Sequence, residues 1–92
     1  MSERTATIAS SVGLHARPAS IFAAAVSALP MEVTIGRAND SAEDAMDASS
    51  ILSLMSLGAA NGDTVVLRAE GDGADEALEA LAKILETDLD AV

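Results

Sequence analysis

Cysteine is absent from the 92 residues. That one absence removes disulfides, thiolate metal ligands and cysteine nucleophiles together. Tryptophan and tyrosine are missing as well, and Phe22 is the sole aromatic, which argues against modules that stack nucleic-acid bases. Basic residues are scarce: five Lys and Arg stand against fifteen Asp and Glu, a formal net charge of −10 at pH 7. This is the wrong sign for binding a phosphate backbone. No apolar run approaches the roughly 20 residues that a spanning helix needs. Residues 1–5 lead into alternating residues and not into an apolar signal core. The expectation is a cytoplasmic chain without membrane insertion. One histidine and no cysteine would leave a metal only carboxylates as partners, so no metal is expected.

What is present is apolar content. Hydrophobic residues make up 50% of the chain, enough for one small core and a single domain over residues 1–92. A chain this short buries only about 60–65% of its unfolded surface. Charge divides unevenly along it. Residues 1–38 hold two acids against Arg4, Arg17 and Arg37, whereas residues 39–92 hold thirteen acids against Arg68 and Lys83. The acidic part reads as a solvated surface; the near-neutral part contains the only histidine.

Alternation at residues 3–9, with Ala6 and Ile8 on one side and Thr5 and Thr7 on the other, predicts a strand. Residues 16–29 read as a helix with Phe22, Ala25, Val26 and Leu29 on one stripe. Pro18 suits its first turn and Pro30 its end. A second strand follows at 31–35. Gly36, Asn39, Asp40 and Ser41 suggest a turn; residues 43–47 could form a short strand, a helical turn or a loop, and a poor edge strand is expected there. Ser49 or Ser50 can cap a short helix at 51–57 that Gly58 ends. Residues 64–70 give the strongest strand, with Val65, Leu67 and Ala69 on one side. Residues 74–85 form an amphipathic helix with Leu78, Leu81 and Leu85 inward. The order β-α-β-(β)-α-β-α favours an α+β layer, one antiparallel sheet with helices on one face.

The stretch Gly13-Leu14-His15-Ala16-Arg17-Pro18-Ala19-Ser20 carries the chemistry. Gly13 permits a sharp bend after the first strand. His15 stands just ahead of a helix start, beside the free N–H groups of Ala16 and Arg17, which form an anion site. The positive end of the helix disfavours imidazolium by about 0.3–1 kcal/mol. A ring nitrogen is then free to attack near pH 7. Arg17 adds a permanent positive charge. This set suits phosphoryl transfer to and from a histidine, and one arginine with backbone amides holds the group loosely enough to pass it on. A histidine ahead of a helix can equally be a plain surface residue. No nucleophile elbow accompanies it.

A second stretch, Ser50-Ile51-Leu52-Ser53-Leu54-Met55-Ser56-Leu57-Gly58, is too apolar for one face of a short helix. Leu54 and Leu57 suit the inward stripe. Ile51, Leu52 and Met55 then form a patch for docking partners, unless the helix is buried all round.

Together these stretches resemble the two signatures of the histidine-containing phosphocarrier family HPr, of the bacterial phosphoenolpyruvate:sugar phosphotransferase system. The resemblance covers nearly the whole chain, with the motifs in the family's order. It implies an open-faced β-sandwich of four antiparallel strands covered on one side by three helices. It implies phosphorylation of His15 on Nδ1, with Arg17 and the Ala16 and Arg17 amides steadying the phosphoryl oxygens. Phosphorylated enzyme I would be the donor and the IIA unit of a sugar-specific enzyme II the acceptor, with Ile51, Leu52 and Met55 in the shared docking surface. Ser50 matches the serine that an ATP-dependent HPr kinase phosphorylates in some bacteria, with signalling to a transcriptional regulator; a plain helix cap is the other reading of Ser50. A monomeric carrier without cofactor and without turnover of its own is implied. The chain departs from the family at Val12, where Asn or Ser is common, and in its long acidic stretch 36–49. A nitrogen-related paralogue, a purely regulatory binding module and a small acylphosphatase-like hydrolase are the competing readings.

Overall fold

The computed structural model describes residues 2–9, 16–38, 45–58 and 60–87, with the side chains of Ala16 and Arg17 outside that description. Its elements run β1 (Ser2–Thr7), α1 (Ala16–Ser27), β2 (Val33–Arg37), β3 (Met46–Asp47), α2 (Ile51–Leu57), β4 (Thr64–Ala69) and α3 (Ala74–Leu85). The four strands form one antiparallel sheet in the order β1-β4-β2-β3. The sequence expectation of an α+β layer therefore holds, with β3 as the poor edge strand of two residues.

Alternation decides which side of the sheet is covered. Register pairs Arg4 with Leu67 and Ile35 with Leu67, so one face collects Ala6, Val33, Ile35, Val65, Leu67 and Ala69. All of these are buried, and they meet Phe22 and Val26 of α1, Leu54 and Leu57 of α2, and Leu78, Leu81 and Leu85 of α3 in one core. Phe22 is fully buried in it and is its largest side chain; a buried aromatic contributes more area than any other residue type in a chain this small. Helix α3 lies over β1 and β4, α2 lies beside β2 and β3, and α1 packs against both helices. Exposed Thr5, Thr7 and Thr64 lie on the opposite face. There Arg68 Nε donates to Glu3 Oε2 at 2.6 Å across the β1–β4 pair.

Three elements depart from the periodicity reading by two residues, β1 and α1 at one end and β2 at both. β1 stops at Thr7 because Ile8 and Ala9 turn to other partners. The Ile8 N–H donates to the Asp63 carbonyl at 2.9 Å and the Ala9 N–H to the Leu85 carbonyl at 2.9 Å, satisfying the end of α3. α1 ends at Ser27 because the Leu29 N–H donates to the Val26 carbonyl at 3.0 Å, a tightened last turn ahead of Pro30. β2 begins and ends two residues later than expected and absorbs Gly36, which pairs with Val66. A Cβ at Gly36 would stand 3.6 Å from the Ala45 Cα, an ordinary contact, so this position is a regular strand residue and not the turn that the sequence suggested. Among the described residues no helix is long and apolar enough to cross a membrane.

Candidate functional site

α1 opens at Ala16, immediately after His15. Ala16 and Arg17 are its first two residues, so their N–H groups are among the four that an α-helix leaves without internal partners. Pro18, third in the helix and buried, belongs in that first turn because it has no N–H to lose. His15 itself lies outside the described residues, as do Gly13 and Leu14 of the same motif. Arg17 is placed by its backbone alone.

The second motif is fully described. Ser50 sits in extended geometry ahead of α2, and its Oγ accepts from the Ser53 N–H at 3.3 Å, the N-cap arrangement. Just before it, Asp47 Oδ1 accepts from the Ser49 hydroxyl at 2.7 Å and the Ser49 N–H at 2.9 Å. The Ser49 hydroxyl first, and then its N–H, hold the Asp47 carboxyl below the usual carboxylate range. Between the two candidate caps, the structure thus assigns Ser50 to the helix and Ser49 to the turn. At the other end Gly58 takes a left-handed φ of 67°, and its N–H donates to the Met55 carbonyl at 3.2 Å.

Arg37 was not legible as part of this arrangement. Its Nη2 donates to the Leu57 carbonyl at 2.7 Å, closing the C-terminal end of α2. Its Nη1 stands 3.4 Å from Asp63 Oδ2, which also accepts from the Ala60 N–H at 2.9 Å. The Ala60 N–H, with Arg37 contributing less, lowers the Asp63 carboxyl below its ordinary range. β2, α2 and the turn before β4 are thereby fastened together. Periodicity ends the strand at residue 35, so it gives Arg37 no place; in the structure Arg37 stands at an inward-facing position of β2, where a charge must find partners.

Helix α2 presents two unlike sides. Leu54 and Leu57 are 0% and 6% exposed, whereas Ile51, Leu52 and Met55 are 42%, 79% and 39% exposed. These three are the exposed large apolar side chains among the described residues. The expected division of the helix therefore holds, and an all-round burial does not. Because α2 packs against α1, the apolar patch belongs to the same helical layer whose first turn follows His15.

Comparison with known proteins agrees with this arrangement. The family model PTS-HPr, described as the PTS HPr component phosphorylation site, matches residues 2–87. The chain is 44% identical over 85 residues to the phosphocarrier protein HPr of Streptomyces coelicolor, covering 92% of this chain and 88% of that one. It is also 44% identical over 85 residues to the phosphocarrier protein HPr of Haloferax volcanii, covering 92% and 93%. The crystal structure of a phosphocarrier protein HPr from Bacillus anthracis superposes with a TM-score of 0.81 at 30% identity, over 91% of this chain and 95% of that one. A capped helix with an apolar outer side, a helix opening directly after the histidine, and matches along nearly the whole chain lead to one conclusion: this chain belongs to the HPr family of phosphocarrier proteins of the phosphotransferase system.

Proposed function

We propose that the chain carries a phosphoryl group on Nδ1 of His15, accepting it from phosphorylated enzyme I and passing it to a histidine of a sugar-specific enzyme IIA unit. The observation that carries this reading is the place of the histidine. The chain has only one, α1 opens at the next residue, and the family is described by its phosphorylation site. In the transfer the Nδ1 lone pair attacks phosphorus in line. The new N–P bond forms as the donor's N–P bond breaks, and the electron pair of that bond stays on the donor nitrogen. Positioning and charge compensation do most of what such a loose transition state needs. The Ala16 and Arg17 amides and the Arg17 guanidinium take up the phosphoryl oxygens. No metal and no cluster of arginines is called on, so the group stays transferable.

Ile51, Leu52 and Met55 supply the surface on which enzyme I and IIA units dock in turn, an apolar centre suited to partners that come and go. The protein acts as a cytoplasmic monomer, one domain over residues 1–92, with no turnover by itself. Ser50 is the residue an HPr kinase would modify. Its phosphate would replace the N-cap contact with Ser53 and set negative charge beside Ile51 and Leu52.

The test is a relay assay with phosphoenolpyruvate, enzyme I and a IIA domain. Phosphate should reach the IIA domain through the wild-type protein and not through H15A. R17A should transfer about tenfold more slowly, the order expected for losing one charge-assisted hydrogen bond. I51D should be slowed in accepting from enzyme I while its circular dichroism stays native. Relay through H15A at the wild-type rate would remove the assignment.

A further inference from the structure

We infer that Met55 is an oxidation site through which peroxide turns off partner docking, an inference that rests on the docking role proposed for α2. Four methionines stand in the sequence and no cysteine does, so thioethers are the only sulfur the chain offers to an oxidant. Their surroundings differ sharply. Met31 and Met46 are partly buried and pack against the core. Met55 is 39% exposed and sits on the outer side of α2 with Ile51 and Leu52. Met1 lies outside the described residues. The most exposed methionine among those described is therefore also one of the three side chains of the apolar patch.

The chemistry is a two-electron oxygen transfer from hydrogen peroxide. The thioether sulfur attacks one peroxide oxygen, the O–O bond breaks as the S–O bond forms, and the second oxygen leaves as hydroxide that takes the proton of the transferred oxygen and becomes water. The product is methionine sulfoxide, polar where the thioether was apolar. Helix α2 survives the change because Leu54 and Leu57, not Met55, hold it to the core. A docking partner, however, would now bury a strong acceptor against apolar groups, which costs binding unless a donor meets it. Methionine sulfoxide reductases reverse the reaction, so the modification can act as a switch and not only as damage.

The test treats the full chain with dilute hydrogen peroxide and maps the added oxygen by peptide mass spectrometry. Transfer from phosphorylated enzyme I is then timed for each sample. Met55 should oxidise before Met31 and Met46. Transfer should fall roughly tenfold, the order set by one unpaired buried polar group, with circular dichroism unchanged. Reductase treatment should restore the starting rate. M55L, judged against its own untreated rate, should not respond to peroxide. Earlier oxidation of Met31 or Met46, or an unchanged rate with Met55 fully converted, overturns the inference. M55D separates the two readings. If M55D transfers normally, the docking role itself falls. If M55D is slow while the sulfoxide is not, docking stands and only the redox switch is lost.

Discussion

Single side chains at the ends of α2 bear more of the local structure than their number suggests. The Ser50 hydroxyl satisfies one orphan N–H, and S50A should destabilise the protein by about 1 kcal/mol in urea titrations. Gly58 holds a φ of 67°, so G58A should cost about 1 kcal/mol more, because a Cβ is strained in that region. Asp63 adds a pH dependence. Its carboxyl is lowered from 3.8 chiefly by the Ala60 N–H. A native value below the unfolded one means that the contribution is fully present above about pH 3.8 and is lost as pH falls through the native value. The stability difference between wild type and D63N should therefore be constant above that point and close below it. Thermal unfolding of both proteins across acidic pH checks this; a gap that widens on acidification contradicts it. None of these contacts could be read from the sequence beyond the cap and the glycine. Arg37 and Asp63 lie 26 residues apart, and periodicity carries no information about such pairs.

Whole elements were more legible, because each strand or helix repeats one physical preference many times. α2 and α3 have the boundaries that their caps and apolar stripes predict. The strand β1 stops early where the Asp63 and Leu85 carbonyls take the next two N–H groups, and β2 runs on to Arg37 because its pairing with β4 continues through Gly36. The segment 39–44, where the sequence gives turn residues and acids without a period, lies outside the described residues, as does the motif from Gly13 to His15. The candidate site was thus legible as two motifs, and the structure describes the second. The two-sided character of α2 yields a contrast in stability. L54A, at a fully buried position, should cost about 2–5 kcal/mol. L52A, at 79% exposure, should stay within about 0.5 kcal/mol of wild type. Equal losses in chemical denaturation would mean that the outer side of α2 is packed after all.

At the scale of the molecule, a small core is set against a large charge. The core closes around one aromatic residue, and F22A should cost about 3–5 kcal/mol, a large part of what a domain of this size has to lose. The net charge of −10 opposes compaction by self-repulsion, and salt screens it over a Debye length of about 8–10 Å at moderate ionic strength. Stability should therefore rise with added sodium chloride, read as a higher thermal midpoint. In the docking proposed for α2, the same charge would offer little long-range attraction to an acidic partner, which would leave the apolar patch to supply complex lifetime. The position of the phosphoryl group remains the claim on which the rest depends. Its most direct measurement is peptide mapping at alkaline pH after incubation with phosphoenolpyruvate and enzyme I. The account predicts phosphate on the peptide containing His15, lost on brief acid treatment. Phosphate found only on a serine, or on no peptide of this chain, would contradict it.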